Sequence, residues 1–446
     1  MSNQDRQLRI DALLKALCCG ESGDVAVEQE LIEESFFLAC ACGGLSVATA
    51  FLERDPAVAT QAGGVNGWEP IQYACFSSKL RSDAERAKGI VAIVRRLLEL
   101  GANPSVSYIS AESEQWPQTL LYAASGIANH AELSGLLLAA GADVNEGLPE
   151  PDPKNPRKSP WGPEALYHSC EFRDIACLRL LLDARPRLLY VSYCLARALD
   201  FENPAAVRCF IEHGADPNFR VPWARNRTHL HRAVVNGRSA EIIGILLDGG
   251  GDSEAVDDEG MTAYRDAVRY GLAELQLVFE EHGACEATDE DWALGLLMQG
   301  KTSGSRPLRI DPELMGKAAQ RNDVAALKSL LEAGAELEAT RPGEMPPLHQ
   351  AAWWGRADAV RFLIQQRADI HRTNPYGGDA LQTAIHGSEH CFDAGFGPAA
   401  EPAQGPPPGD YPEIIELLLA AGAKLPLHVG GNAAVRRVLR QHGIID

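Results

Sequence analysis

Apolar residues along this chain fall into paired short runs, and each pair ends in a small-residue turn. The stretch Met345–Ile370, MPPLHQAAWWGRADAVRFLIQQRADI, shows one whole unit. Leu348, Ala351 and Ala352 predict a short first helix. Pro346-Pro347 opens it, because proline's missing N–H would be unpaired in a first helical turn anyway. Gly355 can adopt the left-handed conformation that stops a helix. Ala359, Val360, Phe362, Leu363 and Ile364 predict a second helix with one apolar face, closed by Arg367-Ala368-Asp369. The same closing pattern recurs at Leu97–Ser105, Leu136–Asn145, Phe210–Phe219, Leu246–Asp252, Phe279–Cys285, Leu330–Glu336 and Leu417–Leu425. Weaker copies stand at Phe51–Ala57 and Leu180–Leu188. A unit of about 33 residues cannot bury its apolar face alone and needs stacked neighbours.

Pro346 to Ala352 occupies the place of the ankyrin motif T-P-L-H-x-A, and Thr228-His229-Leu230-His231-Arg232-Ala233 carries that motif again. Over nearly its whole length the chain resembles the ankyrin-repeat family. The resemblance implies an all-α fold, an ankyrin-repeat solenoid of about nine to ten helix-turn-helix units with terminal capping helices. Residues 1–32 are expected to cap the N-terminal end, with Leu8, Ile10, Leu13, Leu14, Ala16 and Leu17 on an apolar face. Residues 33–427 form the array, and 428–446 the C-terminal cap. Two stretches rich in Pro read as loops, 146–160 and 388–411, and KTSGSRP (Lys301–Pro307) as a third. Asn322 stands at a helix-stop position that usually holds Gly, a conformation Asn tolerates.

Composition narrows the function. With 46% hydrophobic and 23% charged residues the chain is globular in character. It has no apolar run long enough to span a membrane and no secretory leader pattern at its start, so a cytoplasmic protein is expected. Eleven cysteines, an odd number set mostly in apolar runs, read as small hydrophobes rather than a disulfide framework. The net charge of −20 repels phosphate backbones, which argues against nucleic acid and allows a basic partner.

No motif names a reaction: there is no P-loop, dinucleotide fingerprint, G-x-S-x-G or H-E-x-x-H. His231 and His349 occupy the motif position that the family uses structurally, to bond backbone of an adjacent turn. His386, Glu389, His390 and Cys391 would offer metal ligands if a helix continued through them, and Gly387-Ser388 argues that it does not. The resemblance implies a non-enzymatic, monomeric scaffold without cofactors that binds another protein along its concave groove. In the family the two residues before the first-helix stop face that groove. Here they are Trp353 and Trp354, with Val235, Asn236, Arg269 and Tyr270 at matching positions and Asp257, Asp258 and Glu259 placed to steer a basic partner. Two other readings stay open: an inhibitor or neutraliser of a basic enzyme acting through the acidic surface, and a metal-dependent or enzymatic activity in the 388–411 insertion.

Overall fold

The computed structural model describes residues 3–18, 26–109, 117–148, 163–220, 225–301, 309–390, 409–426 and 428–444. The fold is all-helical in character, a run of short antiparallel helix pairs, and it divides into two compact units. Residues 1–219 make the first, and residues 220–395 with 402–446 the second. Among the described residues no helix is long and apolar enough to cross a membrane.

In the first unit the N-terminal helix Asn3–Cys18 buries Ile10, Leu14, Leu17 and Cys18, which share one face at helical spacing. Leu8 lies off that face and is exposed, so it takes no part in the cap. Pro70 opens the helix Pro70–Cys75 beneath a reciprocal Glu69/Gln72 capping box. Asp83 caps the longer helix Ala84–Glu99, which buries Ile90, Val91, Val94 and Leu97. A two-stranded hairpin, Ser107–Ile109 with Pro117–Thr119, was not expected from an all-helical pattern.

In the second unit Thr228 caps the helix His229–Val235, whose Leu230, Ala233 and Val234 are buried, as are Ile242, Ile243 and Leu246 of the paired helix Ala240–Asp248. Asn322 does stand at a left-handed stop, with φ of 59°. Helix Asp289–Met298 has no counterpart in the expected series and packs on Ala263–Arg269. Gly295 permits that approach: a Cβ there would sit 2.2 Å from the carbonyl oxygen of Val268. Helix Ala380–His390 runs through Gly387-Ser388, correcting the expected loop start at 388. Ser388 is accommodated because its hydroxyl donates to the Ile385 carbonyl at 2.6 Å, within the helix. The rest of that insertion, 391–408, and most of the 146–160 loop lie outside the described residues. Asp410 then caps helix Tyr411–Ala420, and Asn432 caps the final helix Ala433–Gln441, which buries Val435, Val438 and Leu439.

Candidate functional site

The repeat geometry of the second unit brings charged side chains from four successive segments together. Arg225 and Arg227 lie in the turn before helix His229–Val235, and Asp257 and Glu259 in the turn before Ala263–Arg269. Glu313 is the first residue of helix Glu313–Gln320, and Arg341 precedes helix Pro347–Trp353. Arg225 donates to Asp257 at 2.5 Å and Glu313 at 2.8 Å. Arg227 reaches Glu313 at 3.1 Å, Asp257 at 3.4 Å and Asp266 at 3.4 Å. Arg341 pairs with Glu259 and, at 2.7 Å, with Asp311, which Arg269 also holds at 3.0 Å. Asp291 takes Arg265 at 2.9 Å and Arg269 at 3.6 Å. Asp257 also accepts the backbone N–H groups of Glu259 and Met261, so the same carboxylate shapes its turn.

Burial and proximity pull these groups in different directions. Burial tends to raise the Glu313 pKa, but Arg227, Lys317 and Arg225 outweigh it and hold the carboxyl at about 2. Asp266 has less compensation, and burial pushes it up to about 6 despite Arg227. Burial lowers Lys317 to about 8 against the pull of Glu313, 3.9 Å away. Such a cluster is held by mutual pairing: removing one member strands a buried charge.

The cluster forms one wall of a cavity of about 510 Å³. Val235, Gln350, Met345 and Tyr376 line it together with Arg225, Glu259, Glu313, Lys317, Arg341 and Glu344. Lys317 and Gln350 fall at the motif position after the His, a first-helix position the two-residue strip leaves out. A lysine inside the small-residue helix ELMGKAAQ and the arginines of RNR before a T-H-L-H motif were the available signals. The pairing itself was not readable, because Arg225 and Glu313 are 88 residues apart.

The expected strip is only partly surface. Val235 is half-buried and lines the cavity. Asn236 is half-buried, and its backbone carbonyl accepts from Arg238 at 2.6 Å. Arg269 is largely spent on Asp291 and Asp311, with 14% of its side chain exposed. Tyr270 is a correction: it is buried at 3% exposure, with the Arg321 guanidinium over its ring, and it offers no side-chain surface. Asp257 is corrected likewise, being buried against Arg225 and Arg227, while Asp258 and Glu259 remain exposed.

Trp353 and Trp354 are both half-buried. The Trp353 ring packs on His386 of the next first helix at 5.3 Å, and its carbonyl accepts the Tyr411 hydroxyl at 2.8 Å. Gly387 lets that neighbour come close, since a Cβ there would lie 2.4 Å from the Trp353 oxygen. His386 therefore packs as an aromatic; the side chain of His390 and all of Cys391 lie outside the described residues. His231 bonds the Met261 carbonyl at 2.8 Å and Thr228, the structural role expected of the motif. His349 is equally buried near the backbone of Arg372 and Gly378, yet neither ring nitrogen reaches hydrogen-bond geometry. Of the described cysteines only Cys285 is exposed, and burial raises the thiol pKa of Cys42 to about 11.

The first unit carries a second charged cluster. His168 lies 3.2 Å from Glu164 and 2.7 Å from Glu171, and Arg197 pairs with Glu171 at 2.7 Å and Asp200 at 3.2 Å. Burial lowers the His168 pKa, but the two flanking carboxylates more than reverse that and raise it to about 9.

Comparison with known proteins agrees with this architecture. Residues 317–364, which contain Lys317, Glu344 and both tryptophans, match the family model for ankyrin repeats (many copies). The chain contains ankyrin repeats. The B-cell lymphoma 3 protein homolog of Mus musculus is 28% identical over 215 residues, which is 47% of this chain and 43% of that protein. The chain thus spans less than half the length of that curated relative. A crystal structure of the human ASB11 ankyrin repeat domain is 20% identical, covering 52% of this chain and 98% of that one, with a TM-score of 0.22.

Proposed function

We propose that the chain is a scaffold that binds its partner protein on the first-helix face of the second unit, along a strip that joins the charged cavity to Trp353 and Trp354. The cavity carries this reading: about 510 Å³ of space on a face where ion pairs otherwise fill the room between turns. Gln350 lines it and sits three and four residues before the tryptophans, on the same face of one helix. Half-buried aromatics beside a polar cavity match the makeup of interface hot spots. Val235 supplies an apolar wall, and Asn236 lies beside it. Arg269 belongs to the ion-pair frame behind this face. The protein acts as a cytoplasmic monomer without a cofactor. The acidic composition favours a basic partner, which also suits the alternative of an inhibitor of a basic enzyme.

The test is affinity capture from native lysate with the wild-type chain and with Val235→Arg, Trp353→Ala and Trp354→Ala, each confirmed folded by circular dichroism. Loss of the same captured protein in all three variants is expected. Undiminished capture by all three contradicts the reading.

A further inference from the structure

Every carboxylate of the cluster but one is held by a cation. Asp257, Glu259, Asp266, Asp291, Asp311 and Glu313 each pair with at least one arginine. Glu344 lines the cavity with no ion pair and no side-chain hydrogen bond among the described residues. It is half-buried, and burial with the nearby Glu313 charge raises its pKa, against the smaller opposing pull of Lys317, Arg341 and Arg227. Of the nearby cations, Arg341 is taken by Asp311 and Glu259, and Lys317 donates to the Gln320 amide at 3.2 Å and lies 3.9 Å from Glu313, so neither forms an ion pair with Glu344. An unpaired carboxylate facing a cavity is a vacancy for positive charge.

We propose that the cavity receives one cationic side chain, lysine or arginine, of the bound partner, with Glu344 as its counter-ion; this rests on the groove reading above. The surroundings fit such a side chain from stem to head. Val235 and Met345 offer apolar contact to the methylene stem. Glu344, and Glu259 with 39% of its side chain exposed, offer acceptors to the head. Tyr376, 86% exposed on the cavity lining, offers a ring face to a passing cation.

The probes are immobilised hexapeptide pools fixed at one position as Arg, Lys, Gln or Glu and otherwise mixed, exposed to the full chain. The Arg and Lys pools should retain the wild-type chain about tenfold better than the Gln and Glu pools, the scale of one charge-assisted hydrogen bond. Glu344→Gln should erase that preference while keeping residual binding that Trp354→Ala removes. Equal retention by all four pools, lost on Val235→Arg, overturns the cationic socket and leaves the groove reading standing. A basic preference that survives Glu344→Gln places the cation elsewhere and also overturns it. Retention of no pool above background overturns both.

Discussion

Each unit carries one charged cluster, and the two are finished differently. In the first, Glu164 and Glu171 close on His168, and Glu171 and Asp200 close on Arg197, while the neighbouring buried Glu146 has no cation among the described residues and is held instead by the Thr119 hydroxyl and the Ala165 N–H. The cluster is capped by aromatic rings, with Tyr122 5.4 Å from His168 and Phe201 under the Arg197 guanidinium. In the second, the pairs are more numerous and more deeply buried, yet they border an open cavity in which Glu344 stands unpaired. Carboxylates that are all paired or hydrogen-bonded serve the fold alone. A carboxylate left short of a partner beside empty space costs stability, and that cost is recovered only when something binds.

The largest expected effect is on the frame of the second cluster. Arg227→Ala leaves buried Asp266 without a cation and Asp257 and Glu313 to Arg225, and should lower the unfolding free energy by about 3–5 kcal/mol in a denaturant titration. Arg197→Ala should cost less, about 2 kcal/mol, because His168 still holds Glu171. If the two losses are equal, the clusters are not built differently.

The clusters should also part company with pH. His168 is raised to about 9 from its ordinary 6.5, so its contribution is full below about pH 6.5 and is lost as pH rises through 9. Glu313 is depressed to about 2 from 4.5, so its contribution is present above about pH 4.5 and is lost as pH falls toward 2. Asp266 runs the other way: raised to about 6, it costs stability as pH climbs from 3.8 to 6, so the acid loss emerges below about pH 4. Hydrogen exchange at residues 164–171 should quicken toward pH 9 beyond the intrinsic rate, by the equivalent of roughly 2 kcal/mol. Residues 225–231 should not follow. His168→Gln should flatten the first response.

Binding gives a further separation. Trp354→Ala and Trp353→Ala should each weaken partner binding by about 2 kcal/mol. Trp353→Ala should in addition cost about 1 kcal/mol of stability, because its ring packs on His386. Titration calorimetry with the captured partner checks the first number and thermal unfolding the second. Normal binding by both folded variants would make the tryptophans packing residues.

The repeat units were legible because their punctuation is local. Gly355 and Asn322 hold left-handed stops, and Thr228 and His231 form a capping box, all within a few residues of each other. What stayed hidden depends on distant neighbours. Gly387 reads as a helix breaker until the Trp353 carbonyl is seen to press on it, and Gly295 conceals a helix that packs by close backbone approach. The tryptophans and Val235 could be named from motif position alone. Tyr270 shares that position yet turns inward beneath Arg321, and Glu344 acquires meaning only when the pairing of every surrounding charge is known.

The contrast between structural and surplus charge is tested most directly without any partner, by chemical denaturation of Glu313→Gln and Glu344→Gln beside the wild-type chain. Glu313→Gln should lose roughly 3 kcal/mol or more, since Arg225 and Arg227 are left short of a carboxylate. Glu344→Gln should lose nothing and gain up to about 0.5 kcal/mol, because it breaks no interaction and removes an unpaired, partly buried charge. A loss at Glu344 as large as that at Glu313 would show that the cavity carboxylate is part of the frame and contradict the account.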